Sequence, residues 1–281
     1  FIRFVNYHLL SVNELDIIWE LIKRRDIKPE IVSDLRVGYF AYNESFDASR
    51  FICDKLKFFG DQGYWSIIDI LASRLVHGKK AGGEEWEYCK ELFFQFDYFN
   101  LDNKPEIMHL YDLIEISKKL LNKFPDERLL NRIADCLLSY LKSTQSVEDE
   151  YQLSELTDQL MELNFKAFWI KLSEALLSSD IMMYNIHNMV GSNHSFPGTY
   201  REGVLFSNPE YYDTIIGWCK QNTDNGLFII AYLMPIYDSE NKTFHPFAKK
   251  MIDEFCDNID FLNQMGAKMG SFGWVGSPIG Y

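Results

Sequence analysis

"DERLLNRIADCLLSYLKS", residues 126–143, decides the fold class. Behind Asp126 runs an apolar stripe of Leu129, Leu130, Ile133, Ala134, Leu137, Leu138 and Leu141. Spacings of three and four put these side chains on one side of a helix, and the period-two alternation of a strand is missing. Asp126 carries the short oxygen acceptor of an N-cap, and Pro125 stops the preceding element. The stretch reads as a capped amphipathic helix.

The same spacing continues in both directions. Upstream, Ile107, Leu110, Tyr111, Ile114 and Leu121 mark a helix that ends before Pro125. Earlier stripes are Cys89, Leu92, Phe93, Phe96; Tyr64, Ile67, Ile68, Leu71, Ala72, Leu75; and Ala48, Phe51, Ile52, Lys55, Leu56, Phe59. Ser11 with Glu14 forms a capping box ahead of Leu15, Ile18, Trp19 and Ile22. Downstream, the polar run "STQSVEDE" (143–150) reads as a flexible connection. Leu153, Leu156, Leu160 and Leu163 follow, then Phe165, Phe168, Trp169, Leu172 and Leu176. Asn208-Pro209 is a cap and first turn for Tyr211, Ile215 and Trp218. "LFIIAYLMPIY" (227–237) is apolar all round and reads as a buried helix. Phe244, Phe247, Ala248, Met251, Ile252 and Phe255 form one further, wide stripe, and Leu262, Met265 and Met269 another after Asn258.

About thirteen helices with short polar links make either a compact helical domain or a stacked solenoid. One observation favours the solenoid. "HNMVGSNHSFPGTY" (187–200) overlays "AKMGSFGWVGSPIG" (267–280) with one residue of slippage. Gly191-Ser192 matches Gly270-Ser271, and Phe196-Pro197-Gly198 matches Trp274-Val275-Gly276. Such periodicity marks repeat arrays. The expected fold is an all-α solenoid of stacked antiparallel helix pairs, similar to HEAT or TPR arrays. Residues 1–142 form its N-terminal part, and residues 151–281 form C-terminal repeats with glycine-aromatic turns. Phe196 and Trp274 are expected to plug the seams between units. With a start at Phe1 and a turn at the end, the chain is expected to be a fragment of a larger protein.

A net charge of −13 argues against nucleic acid or an anionic membrane as partner and permits a basic protein. No apolar run is long enough to span a membrane, and no signal peptide opens the chain. Cys53, Cys89, Cys136, Cys219 and Cys256 all lie in helix-like stretches without a CxxC, as expected of buried thiols in a reducing, cytoplasmic setting.

No residue pattern carries catalysis, a cofactor or a metal. The terminal glycines lack the lysine of a phosphate-binding loop. His187 and His194 are seven apart with no cysteine beside them, which does not match zinc-ligand spacing. "DEFCDNID" (253–260) lacks the calcium-loop pattern. Tyr211, Tyr212, Tyr39 and Tyr42 fit core packing better than exposed binding anchors.

One stretch carries a resemblance. His245-Pro246-Phe247-Ala248, Glu254-Phe255-Cys256-Asp257 and Gly270-Ser271-Phe272-Gly273-Trp274-Val275-Gly276-Ser277 lie within Leu233 to Tyr281. That segment resembles the C-terminal region of large bacterial helical-repeat proteins, among them antiviral-defence proteins of the AVAST or STAND NTPase kind. Where those continue Pro-Tyr-Tyr, this chain has Pro278-Ile279-Gly280-Tyr281. The resemblance implies a sensor or scaffold that binds a protein ligand, such as a phage protein, with any enzymatic activity in another domain. Two other readings stand beside it: a compact all-α toroid hydrolase, and an oligomerisation arm that makes a homo-oligomer.

Overall fold

The structure, a computed structural model, describes residues 11–24, 46–78, 81–95, 107–145, 147, 150–190, 203–238 and 243–272. These residues form thirteen α-helices, two 3₁₀ turns and a two-residue antiparallel strand pair, so the architecture is all-α. The chain clusters into two units, Phe1–Ser139 and Tyr140–Tyr281.

In the first unit, helix α1 (Val12–Arg24) starts at the expected capping box. The Ser11 amide and hydroxyl donate to the Glu14 carboxylate at 2.8 and 2.6 Å. Those bonds hold the Glu14 carboxyl below its ordinary pKa. Helix α2 (Phe46–Leu56) packs on α1 and on α3 (Gly60–Leu75). Helices α4 (Gly83–Phe93) and α5 (Ile107–Lys123) also pack on α3. Helix α6 (Glu127–Ser143) begins where Asp126 accepts the Arg128 amide at 2.8 Å, and its leucine stripe is buried as the spacing requires. Helices α1 to α5 therefore pack on near neighbours in the chain.

A 3₁₀ turn, Lys57–Phe59, joins α2 to α3. Gly60 follows it at φ 61°, a conformation that favours glycine. At Gly63 a Cβ would sit 1.9 Å from the Leu56 carbonyl oxygen, so a side chain there would force the turn open.

In the second unit, α7 (Glu150–Ser178) joins the two stripes read from the sequence through a break at Asn164 (φ −159°, ψ 82°). The Asn164 side chain accepts the Ala167 amide at 3.2 Å and restarts the helix as an N-cap would. Helix α8 (Asp180–Val190) folds back on α7. The short α9 (Val204–Ser207) and a 3₁₀ turn, Pro209–Tyr211, lead into α10 (Tyr212–Gln221). The apolar run becomes α11 (Asn225–Leu233), a buried helix as expected, which packs on α7, α8, α10 and α13 (Ile259–Phe272). Between them the pair β1 (Tyr237–Asp238) and β2 (Thr243–Phe244) precedes α12 (Pro246–Glu254). His245 caps α12, its Nδ1 accepting the Phe247 amide at 3.2 Å.

Several expectations change. Phe244, read on the stripe of α12, lies exposed in β2, and Phe255 lies past that helix's end. Leu163, just before the break at Asn164, and Met269 are exposed rather than on core stripes. Within the polar connection, Thr144 and Val147 are buried rather than free. Asn185 Nδ2 donates to the carbonyls of Leu141 and Thr144 at 2.8 and 3.0 Å. Gly270 and Ser271, read as the start of a turn, continue α13. Phe196 and Trp274 lie outside the described residues, as do Tyr39, Tyr42 and His194. The helices that lead into the two glycine-rich stretches, α8 and α13, both pack on α11.

Candidate protein-interaction site

Phe58 and Phe59 are adjacent, yet they meet opposite environments. The 3₁₀ turn aims Phe59 at Trp19 of α1, with ring centroids 5.8 Å apart and nearly perpendicular. Phe58 is left 88% exposed, edge-on to Phe59 at 5.9 Å. Helix α1 exposes a second large apolar side chain, Ile17, at 63%. Ion pairs brace the turn: Lys57 to Asp54 at 2.9 Å, and Lys55 to Asp16 of α1 at 3.4 Å. An aromatic ring held in water on a braced turn forgoes roughly 2–3 kcal/mol of burial free energy. A partner with a complementary pocket would recover it without having to order a loop.

The polar groups of the first unit are spent on one another. Arg74 of α3 forms a buried ion pair with Glu85 of α4 and donates to the Ser49 hydroxyl of α2 at 3.2 Å. Glu85 Oε2 is buried without a hydrogen-bond partner. Tyr88 donates to Asp54 at 2.9 Å, and burial first of all raises its phenol pKa. His77 Nε2 lies 3.1 Å from Asp112 Oδ1. A groove of about 560 Å³ is lined by Arg50, Glu84, Tyr88, Glu91, Lys123 and Phe124, among others. Its aromatic faces are already taken, Tyr88 by Arg50 at 5.6 Å and Phe124 by Lys90 at 4.4 Å. It has the make-up of a solvated cleft between helices, with no convergent set of donors.

In the second unit, Tyr211 and Tyr212 are core residues, as expected. Tyr211 stacks on Phe165 at 3.7 Å, and Trp169 meets Trp218 edge-on at 5.5 Å. The Tyr211 hydroxyl donates to the Met161 carbonyl at 3.2 Å, and that of Tyr212 to the Phe206 carbonyl at 2.8 Å. His187 is half-buried against Tyr232, centroids 4.6 Å apart, with its Nδ1 unpaired. Burial, then the nearby Lys268 ammonium, lowers its pKa. Lys268 Nζ donates to the carbonyls of Ala231, Tyr232 and Met234 at 3.1, 2.8 and 2.6 Å, capping the C-terminal end of α11. Its pKa is lowered by burial to about 8. That arrangement serves helix capping and offers no open ligand position.

The thiols divide. Cys53, Cys89, Cys136 and Cys219 are buried, and burial pushes the Cys219 thiol up to about 12. Cys256 is exposed, contrary to expectation, because it falls in the turn after α12 rather than on that helix's apolar stripe. Among the described residues no group of His, Cys, Asp and Glu is arranged to hold a metal ion, and no helix is long and apolar enough to cross a membrane.

No protein family, curated protein or solved structure matches the chain.

Sequence spacing passed over Phe58. The signal lies in the pair itself: of two adjacent phenylalanines before a glycine, only one can join the apolar stripe, and Phe59 takes that place.

Proposed function

We propose that the chain is a protein-recognition module, a solenoid of antiparallel helix pairs that presents an aromatic anchor to a protein ligand. The observation that carries this reading is Phe58, 88% exposed on a turn fixed by Gly60 and Gly63. Packing of α1 on α2, α2 on α3 and α3 on α4 supports the stacked-pair arrangement, with α5 packing on α3. The many-sided packing of α11 departs from it in the second unit. The likeness of residues 233–281 to the C-terminal region of bacterial antiviral-defence proteins supports a sensor role in a cytoplasmic STAND NTPase, with a phage protein as ligand and the effector elsewhere in the longer chain.

Phe58→Ser tests the reading. Its side chain makes few contacts within the chain, so the thermal unfolding midpoint should stay within about 1 °C of wild type. The tagged wild type and variant are isolated from phage-infected bacteria, and co-purifying proteins are quantified. A protein enriched by the wild type and lost with Phe58→Ser, then re-bound from purified components, supports the reading. Equal recovery of every co-purifying protein by both chains overturns it.

A further inference from the structure

A second surface lies on the outer face of α7. Phe165, Phe168, Trp169, Leu172 and Leu176 point into the core of the second unit. Past the break at Asn164, the opposite face carries Lys166, Ile170, Glu174 and Leu177, all exposed, with Ile170 at 59%. Ile170 and Leu177 are seven apart, the period of a helix that lies along another helix. Past the turn at Ser179, Ile181 and Tyr184 of α8 extend the exposed apolar surface.

The order of these side chains has a symmetry of its own. Counted from Ile170, Lys166 lies four residues back and Glu174 four residues on. Reversing the direction of the face exchanges lysine for glutamate. Lys166 and Glu174 form no ion pair with another described residue.

We infer that this face binds a second copy of the chain, α7 lying antiparallel to its partner with a two-fold axis at Ile170. A two-fold contact requires that if one residue meets another, the second meets the first in return. Antiparallel pairing about Ile170 satisfies this throughout. Ile170 meets its own counterpart, and Lys166 meets Glu174 twice, about 6 Å along the axis on either side of the centre. A parallel pairing would set lysine against lysine and glutamate against glutamate. A foreign helix would need a matching charge order that nothing in this face demands. The restart at Asn164 begins a fresh helix at Phe165, which keeps Lys166, Ile170, Glu174 and Leu177 on one segment, and Leu163 lies before the break. This interface lies on α7 and does not depend on what Phe58 binds.

One helix face covers less than the ~800 Å² per partner of a standard interface, so the dimer is expected to be weak, on the order of 10–100 µM. Sedimentation of the whole 281-residue chain from about 1 to 300 µM tests this. The wild type should pass from monomer toward dimer mass across that range. Ile170→Glu should stay monomeric. Lys166→Glu should weaken association about tenfold, since both charge pairs become repulsive. Adding Glu174→Lys should restore wild-type association, because the pairs are then reversed but complementary. These positions are exposed, and circular dichroism confirms the fold of each variant. A wild type that stays monomeric throughout, an Ile170→Glu chain that still dimerises, or a double variant no better than Lys166→Glu alone overturns the inference.

Discussion

The two units differ in the polar contacts buried between their helices. In the first, the buried Arg74 pairs with Glu85 and Ser49, beside Tyr88 with Asp54 and His77 with Asp112, while Arg132 and Lys119 reach for the carbonyls of Phe93, Leu75 and Val76. In the second, the charge pairs Lys220–Glu254 and Lys250–Asp213 lie at the surface, and the side chains between helices reach for backbone groups. Asn185 bonds to Leu141 and Thr144, Ser154 to Met189, Tyr211 to Met161, Lys268 to the end of α11, and Asp158 accepts the Val204 amide. A charge pair protects itself only while both members are present, and losing one leaves the other buried and alone. A side chain that closes a carbonyl contributes less, and its loss exposes one neutral acceptor at a time. The first unit should therefore fail sharply when a single residue is removed, and the second should weaken by degrees.

The largest effect should come from Arg74→Leu. Glu85 would then be buried with no cation, at a cost of about 3–5 kcal/mol in denaturant unfolding. Arg74→Leu combined with Glu85→Leu should regain most of that loss, since an apolar pair of similar size replaces the charge pair. If the double variant is no more stable than the single, packing by the arginine stem outweighs the charge.

Lys268→Met comes next, at about 1–3 kcal/mol, because several carbonyls at the end of α11 lose their donor. The pH dependence carries a sign. Burial lowers the folded pKa from 10.5 to about 8, so between these values the unfolded chain still holds the proton that the folded chain has released. The cost of burying the ammonium is present below about pH 8 and lifts as pH rises toward 10.5. The stability gap between wild type and Lys268→Met should widen over that range in favour of the wild type. A gap constant from pH 7 to 10.5 would show that the lysine is not desolvated.

Asn164→Ala should have the smallest effect, about 1 kcal/mol, from loss of the cap that restarts α7. Hydrogen exchange at the amide of Ala167, which Asn164 accepts, should speed up with little change in the first unit. Equal acceleration across both units would mean that the break is not a local feature.

Helix existence, most helix starts and most core faces were determined by the sequence alone, because their causes act within a few residues; Leu163 and Met269, which the spacing puts on stripes, are exposed. The stripe of α6 follows from spacings of three and four, and the caps at Ser11, Asp126, Asn208 and Asn258 follow from an acceptor two or three residues before the amide it meets. Tyr211 and Tyr212 were legible as core for the same reason. The tertiary structure alone decided the rest. Arg74 meets Ser49 across 25 residues, and Asp158 meets Val204 across 46, distances over which no periodicity speaks. The tertiary turn also decided that Phe59 is covered by Trp19 while Phe58 faces water, and that Cys256 lies outside the core. The outward face of α7 was hidden in plain composition. Its leucine and isoleucine match core residues in type, and only the packing of Phe168 and Trp169 on the opposite side shows which way they point.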